Sequence, residues 1–303
     1  MTTITILPSN ISDDEKQTHL LTHLPEQIGK VHDAAFYGRQ KKKVKLEKYS
    51  PKAMPVPQPS IADIEAEIRE LGDNYDKKQS ASQVLAERSA IWQELYAFHS
   101  RIEAERETLE NRKYQAQYDA TIADIDDIIN GEDNVVDNAL QSAIQQLQLP
   151  FELTVNVDYD KMGGNASITS MMPLSYCIPT TKTVFHSRGM TVKNKLQREL
   201  QQEECECIVG LAFLLAGQTF SVSPNIKFVN LLFYQYRSKE ALLAIHFDRA
   251  KFIANIDKMD TPSVALYDFQ FAANIRTVRE AMVLSPIPGR DLQVFLVSTN
   301  QLP

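Results

Sequence analysis

The chain has 303 residues, 43% of them hydrophobic, with 14 Pro, 10 Gly and a formal charge of -7. That is enough apolar material for a buried core and two structural regions, and it excludes disordered, collagenous and disulfide-built classes. The acidic balance argues against a protein that coats DNA generally.

The longest apolar runs, Ile208 to Ala216 and Phe228 to Phe233, fall short of the roughly 18–20 residues a membrane span needs. The N-terminus has no basic stretch followed by an apolar one, so no secretory signal is expected. Cys177, Cys205 and Cys207 make no disulfide framework. A soluble, cytoplasmic protein with no membrane partner is expected.

In chain order, the first 50 residues predict a short helix from Ser12 or Asp13 to Leu24 and another from Glu26 to about Lys43. Arg39, Lys41, Lys42, Lys43, Lys45 and Lys48 make a basic cluster there: a solvated helix face, or a contact for nucleic acid or an acidic partner. The four prolines between Pro51 and Pro59 fix φ and remove donors, which predicts an extended linker. Ser60 suits the N-cap of a helix with Ile61, Ile64, Ile68 and Leu71 on one side, ended at Gly72.

From about Ser80 to Gly131 the sequence has neither Pro nor Gly, and an unbroken helix there would reach roughly 75 Å. Val84, Ile91 and Phe98 fall seven apart, as do Leu95, Ile102 and Leu109, forming a heptad-like seam. It gives way to a polar stretch from Glu103 to Lys113 and resumes at Tyr118, Ile122, Ile125 and Ile129. A helical stalk is expected over residues 60–149, either self-associating or folded as a hairpin on Ile61 to Leu71. Gly131 stops the long helix. Asp133 then caps a shorter one carrying Val136, Leu140, Ile144 and Leu147.

Residues 150–303 predict an α+β domain. Phe151 to Tyr159 alternates with period two, Gly163-Gly164-Asn165 supplies a turn, and a second strand follows to Met172. A short strand at Lys182 to Phe185 precedes a helix from about Thr191 to Ala216, ended by Gly217. Ile226 to Tyr236 and Ala241 to Phe247 read as a hairpin turned at Arg237 to Glu240. Asp248 caps a short helix, and Leu292 to Val297 reads as a last strand. The order implies a mixed or antiparallel sheet covered on one face by the long helix.

Candidate chemistry is sparse. His19 and His23 stand at i and i+4 without a third ligand. In Cys205-x-Cys207 the thiols point about 200° apart on a helix, and Cys207 aligns with Leu200, Leu211 and Leu214 as a core residue. Phosphate-loop, dinucleotide, zincin and nucleophile-elbow motifs are absent, so no catalytic residue, metal ligand or cofactor is assigned. His186 to Gly189 is a polar turn able to hold an anion through Arg188. Tyr234, Tyr236, Arg237 and Lys239 can stack on bases and contact phosphate, or serve as cross-strand packing. A cryptic metal-dependent nuclease would need Asp158, Asp160, Asp248 and Lys251 to converge.

Between Ala123 and Arg290 a further pattern runs through Ile129-Asn130-Gly131, Val157-Asp158-Tyr159-Asp160, Met172-Pro173-Leu174, Ile178-Pro179 and Leu284-Ser285-Pro286-Ile287. This resembles a bacterial module of helical spacer plus α+β domain, of the kind found next to Mrr-like restriction endonuclease domains. The nuclease domain itself would follow the proline-isoleucine segment and is expected to be missing, because the chain ends at Pro303. The resemblance implies a defence setting and carries no catalytic position. The expected function is a non-enzymatic adaptor or sensor with an unidentified protein effector. The alternative is a nucleic-acid-binding module using residues 39–48 and 234–239.

Overall fold

The computed structural model describes residues 2–7, 31–72, 80–147, 149, 151–172, 179–187, 189–236, 238–256, 261–278 and 281–299. Its contacts divide the chain into a core unit, residues 1–41 with 124–303, and a second unit, residues 42–123.

The core unit is an α+β fold. A seven-stranded sheet runs in the order β1-β2-β3-β6-β7-β8-β9, with β1 at Thr2–Ile6, β2 at Leu153–Asp160, β3 at Asn165–Met172, β6 at Phe228–Gln235, β7 at Ala241–Asp248, β8 at Gln270–Val278 and β9 at Ala281–Ser285. Only β3 and β6 pair in parallel; the other five neighbouring pairs are antiparallel. The inner face carries Leu153, Val155 and Val157 of β2, as the period-two pattern predicts, with Val229, Leu231 and Phe233 of β6. Helix α5 (Gln197–Val222) covers this face, together with α4 (Asp133–Gln145), whose Val136, Leu140 and Ile144 are buried as expected. By composition α5 is long and apolar enough to cross a membrane, yet 72% of its most apolar window is buried inside the protein. Phe213 of α5 meets Phe247 and Phe269 edge-on at 5.2 and 5.6 Å between ring centres, fixing helix to sheet.

Several expectations change. The N-terminal segment contributes β1, whose Ile4 and Ile6 are buried and pair with residues some 150 positions away. Helix α1 covers Ala34–Lys43, the end of the predicted second helix; the predicted helix from Ser12 or Asp13 to Leu24 lies outside the described residues. The helix expected from Thr191 begins only at Gln197, because Thr191 and Val192 belong to a separate two-stranded ribbon, β4 (Thr181–His186) with β5 (Gly189–Asn194). It also runs through Gly217 to Val222, since buried Phe220 anchors its last turns. Leu292 to Val297 is not a strand: beyond the short helix α7 (Pro262–Ala265), helix α8 (Gly289–Ser298) starts after Pro288 and packs Leu292, Phe295 and Leu296 with Ile287, Ala241 and Ala244 on the other sheet face. Asp133 opens α4 without capping it with its side chain; Glu132 holds the N-cap position. Asp248 does cap α6 (Arg249–Ala254), accepting from Lys251 N–H at 2.9 Å.

Helix α3 (Ala81–Asn130) is unbroken for 50 residues and ends where Gly131 adopts φ +67°. Its residues up to Ala123 belong to the second unit, which also holds α2 (Ile61–Leu71) capped by Ser60. The proline-rich stretch is extended as expected, but it is no free linker. Tyr49 and Lys52 bond to Glu103, and Trp92 Nε1 donates to Val56 O at 3.0 Å, so residues 49–56 run antiparallel along α3. Helix α2 then returns toward the start of α3, with Ile64 buried and Arg88 paired to Glu67 at 2.8 Å.

Candidate interaction surfaces

In the second unit one flank of α3 is taken by its own chain. At its centre sits Glu103, a carboxylate only 5% exposed on a helix face the sequence reads as solvated. It accepts from Lys52 N–H and Tyr49 O–H at 2.9 Å each and from Arg106 Nη1 at 2.7 Å. The Lys52 and Tyr49 hydrogen bonds hold its pKa below the usual carboxylate range. Loss of water, and then the bond to Glu103, pushes the Tyr49 phenol up. No motif marks Glu103; the only signal was an acid in a stretch facing a proline-rich strand.

The heptad seam lies beside that covered flank. Val84 and Ile102 are half-buried, whereas Ile91, Leu95, Phe98 and Leu109 stay 59%, 47%, 54% and 60% exposed. The return of α2 therefore leaves most of the seam open. Arg101 lies over the Phe98 ring at 5.5 Å.

In the core unit the outer face of the sheet forms a second surface. The strand register aligns Asp158, Ser167, Asn230, His246 and Gln270 across five strands. A groove of about 590 Å³ is lined by Asp160, Ser167, Thr169, Asn230, His246 and the Ser298–Thr299 end of α8, among others. A neighbouring one of about 460 Å³ shares Thr169 and includes Glu152, Tyr234 and Tyr236. His246 Nδ1 meets Asn230 Oδ1 at 2.6 Å and its ring stacks on Phe228 at 5.3 Å. Burial lowers the His246 pKa, which favours the neutral ring, and raises that of Tyr234. The face offers amides, hydroxyls and aromatic edges with Glu152, Asp158 and Asp160 alongside. Such a lining suits uncharged polar groups better than phosphate. Sequence reasoning found Tyr234 and Tyr236 here but missed His246 and Asn230, because their pairing depends on the β6–β7 register.

The basic cluster is not one site. Arg39, Lys42, Lys43, Lys45 and Lys48 are exposed, while Lys41 is paired with Asp126 at 2.7 Å. Arg39 and Lys41 belong to the core unit, and the residues from Lys42 onward to the second. Tyr236 is 63% exposed, and Lys239 sits in the hairpin turn at φ +57°; Arg237 lies outside the described residues.

The carboxylates of the nuclease alternative do not converge. The register runs Asp160, Asn165, Phe228, Asp248 across β2, β3, β6 and β7, which separates Asp160 from Asp248 by about 14 Å at ~4.8 Å per strand. Among the described residues no three His, Cys, Asp or Glu side chains gather to hold a metal. Cys205, rather than Cys207, is the buried thiol, and burial followed by Glu206 and Glu204 pushes its pKa up to about 12. His19, His23, Cys177 and Arg188 lie outside the described residues.

Compared with known proteins, the chain matches no family model, no curated protein and no solved structure.

Proposed function

We propose that the chain is a non-enzymatic bacterial adaptor or sensor of a restriction-type or antiphage defence system, self-associating through α3 and acting through contacts with a protein effector. The observation that carries the interaction role is the seam: four large apolar side chains at heptad spacing on one helix, all about half exposed or more. Burying such a side chain fully gains roughly 1.5–3 kcal/mol, so four of them across a two-fold interface supply a substantial driving force. The defence setting and the cytoplasmic location rest on the module resemblance and the cysteine usage.

Sedimentation velocity over a concentration series tests self-association. The wild type is expected to dimerise, and Leu95→Glu with Phe98→Glu to stay monomeric at unchanged helicity. A wild type that is monomeric at every concentration refutes it. For the effector, the tagged protein purified from its native cells is expected to bring one component in a fixed ratio; a protein that comes out alone refutes the stable-adaptor role.

A second reading, nucleic-acid binding, draws on one observation, the groove that gathers Tyr234 and Tyr236 as surfaces for base stacking; among the described residues its lining holds Glu152 and no basic side chain, so phosphate contacts would have to come from outside it. It predicts a shift of labelled single-stranded DNA or RNA that weakens steeply with salt. No shift at low salt removes it.

A further inference from the structure

The seam also carries a direction. Written as heptads, α3 places Arg88, Leu95, Ile102 and Leu109 at a positions, and Val84, Ile91, Phe98 and Glu105 at d positions. We infer that two copies pair through α3 in an antiparallel sense, with Leu95 of each facing Phe98 of the other. The inference rests on the self-association proposed above and concerns its orientation.

Three features of this chain select that geometry. In an antiparallel pair the a and d positions face each other, and the Leu95–Phe98 register then sets Ile91 against Ile102, Val84 against Leu109, and Arg88 against Glu105 of the second copy. Every apolar seam position meets an apolar one, and the two charged positions meet opposite charge. A parallel pair sets a against a and d against d. It would bring Arg88 onto Arg88 and Glu105 onto Glu105, like charges side by side at the seam, with no opposite charge supplied by the second copy at either position. Arg88 already carries Glu67 of its own chain, and that pair is about half exposed, so it can accept a further carboxylate.

The flanks agree. Residues 49–56 lie along the side of α3 that includes Trp92, Tyr96 and Glu103, where Trp92 and His99 are half-buried at e positions. The opposite flank, with Glu87, Glu94, Arg101 and Thr108 at g positions, is exposed throughout. Parallel coils bring g against e of the partner, and e is the side already covered. Antiparallel coils bring g against g, the open side on both copies. In the same register Glu94 then reaches Arg101 of the second copy, twice over by symmetry, whereas a parallel pair would set Arg101 against Arg106.

Charge reversal at exposed positions separates the orientations. Sedimentation velocity and equilibrium on the full chain are run for wild type, Glu94→Arg, Arg101→Glu and the double variant, with far-ultraviolet circular dichroism as folding control. Each single change converts two attractive pairs into two repulsive ones. It is expected to weaken dimerisation roughly tenfold at low salt, and the double variant to restore it. Tighter association of Arg101→Glu, by relief of Arg106, or a double variant weaker than either single one overturns the antiparallel assignment while leaving self-association standing. A wild type that never dimerises overturns both.

Discussion

Gly131 offers the sharpest test of how the end of α3 is fixed to the core. Its φ of +67° is a region L side chains rarely adopt, and an added Cβ would lie 2.4 Å from Tyr159 Oη, 2.6 Å from Asn225 Nδ2 and 2.7 Å from Asn225 Cβ. Tyr159 donates to Gly131 O at 3.2 Å, and Asn225 Nδ2 donates to Tyr159 Oη at 2.9 Å and to Lys161 O at 3.3 Å. The backbone of Gly131→Ala costs about 1–2 kcal/mol in the left-handed region. Displacing Tyr159 Oη breaks the two hydrogen bonds that meet at it, to Gly131 O and from Asn225 Nδ2, at about 1 kcal/mol each. Against this, the smaller conformational freedom of the unfolded alanine chain returns about 0.5 kcal/mol. The sum is a destabilisation of about 3 kcal/mol, read as a lower urea midpoint in the circular-dichroism transition of the core unit. On a background of Tyr159→Phe with Asn225→Gly all three close atoms are gone, and only the backbone cost of about 1–2 kcal/mol should remain. A Gly131→Ala protein as stable as wild type, or equal costs on both backgrounds, refutes the reasoning.

Further outcomes follow from other side chains. Arg249 donates to Phe220 O and Ser223 O at 2.9 Å, to Ile226 O at 3.1 Å and to His32 O, tying the end of α5 to the segment before α1; Arg249→Met should cost about 3 kcal/mol in urea unfolding, and a loss below about 1 kcal/mol would show that water replaces those bonds. Glu103 has a folded pKa below its unfolded value, so its contribution is present above about pH 4.3 and is lost as pH falls through the folded value. Fluorescence of Trp92, the single tryptophan, should report that acid transition in wild type and lose it in Glu103→Gln; an unchanged titration would place the event elsewhere. Cys205, with its thiol pushed up to about 12, should resist alkylation at pH 8 in the native protein and react once urea unfolds it. Rapid native labelling of that residue, located by mass spectrometry, would contradict its burial.

The local parts of this fold were legible. Ser60 and Asp248 cap helices as their side chains dictate, Gly131 ends α3, and the period-two residues of β2 point inward. Each depends on neighbours within a few positions. The misreadings share one cause. Thr191 and Val192 look compatible with a following helix, and Leu292 to Val297 looks like a strand, until the ribbon partner Thr183 and the sheet face beneath α8 are in place. Of the sites, Tyr234 and Tyr236 were visible as aromatics on a hairpin. Asn230 with His246 was not, because that pair exists only through a cross-strand register.

The sequence by itself determined the start of α2 at Ser60, the end of α3 at Gly131, the alternation of β2, and that α3 carries a heptad seam. Backbone preferences and side-chain periodicity are short-range properties, written in the order of residues. Tertiary structure alone decided that Thr2–Ile6 closes one edge of the sheet, that the proline-rich stretch lies along α3 against a buried Glu103, and that the seam's g flank stays open. Those outcomes depend on which distant surface reaches a given face first and removes it from water, a competition among segments separated by 50 to 150 residues that no local pattern encodes.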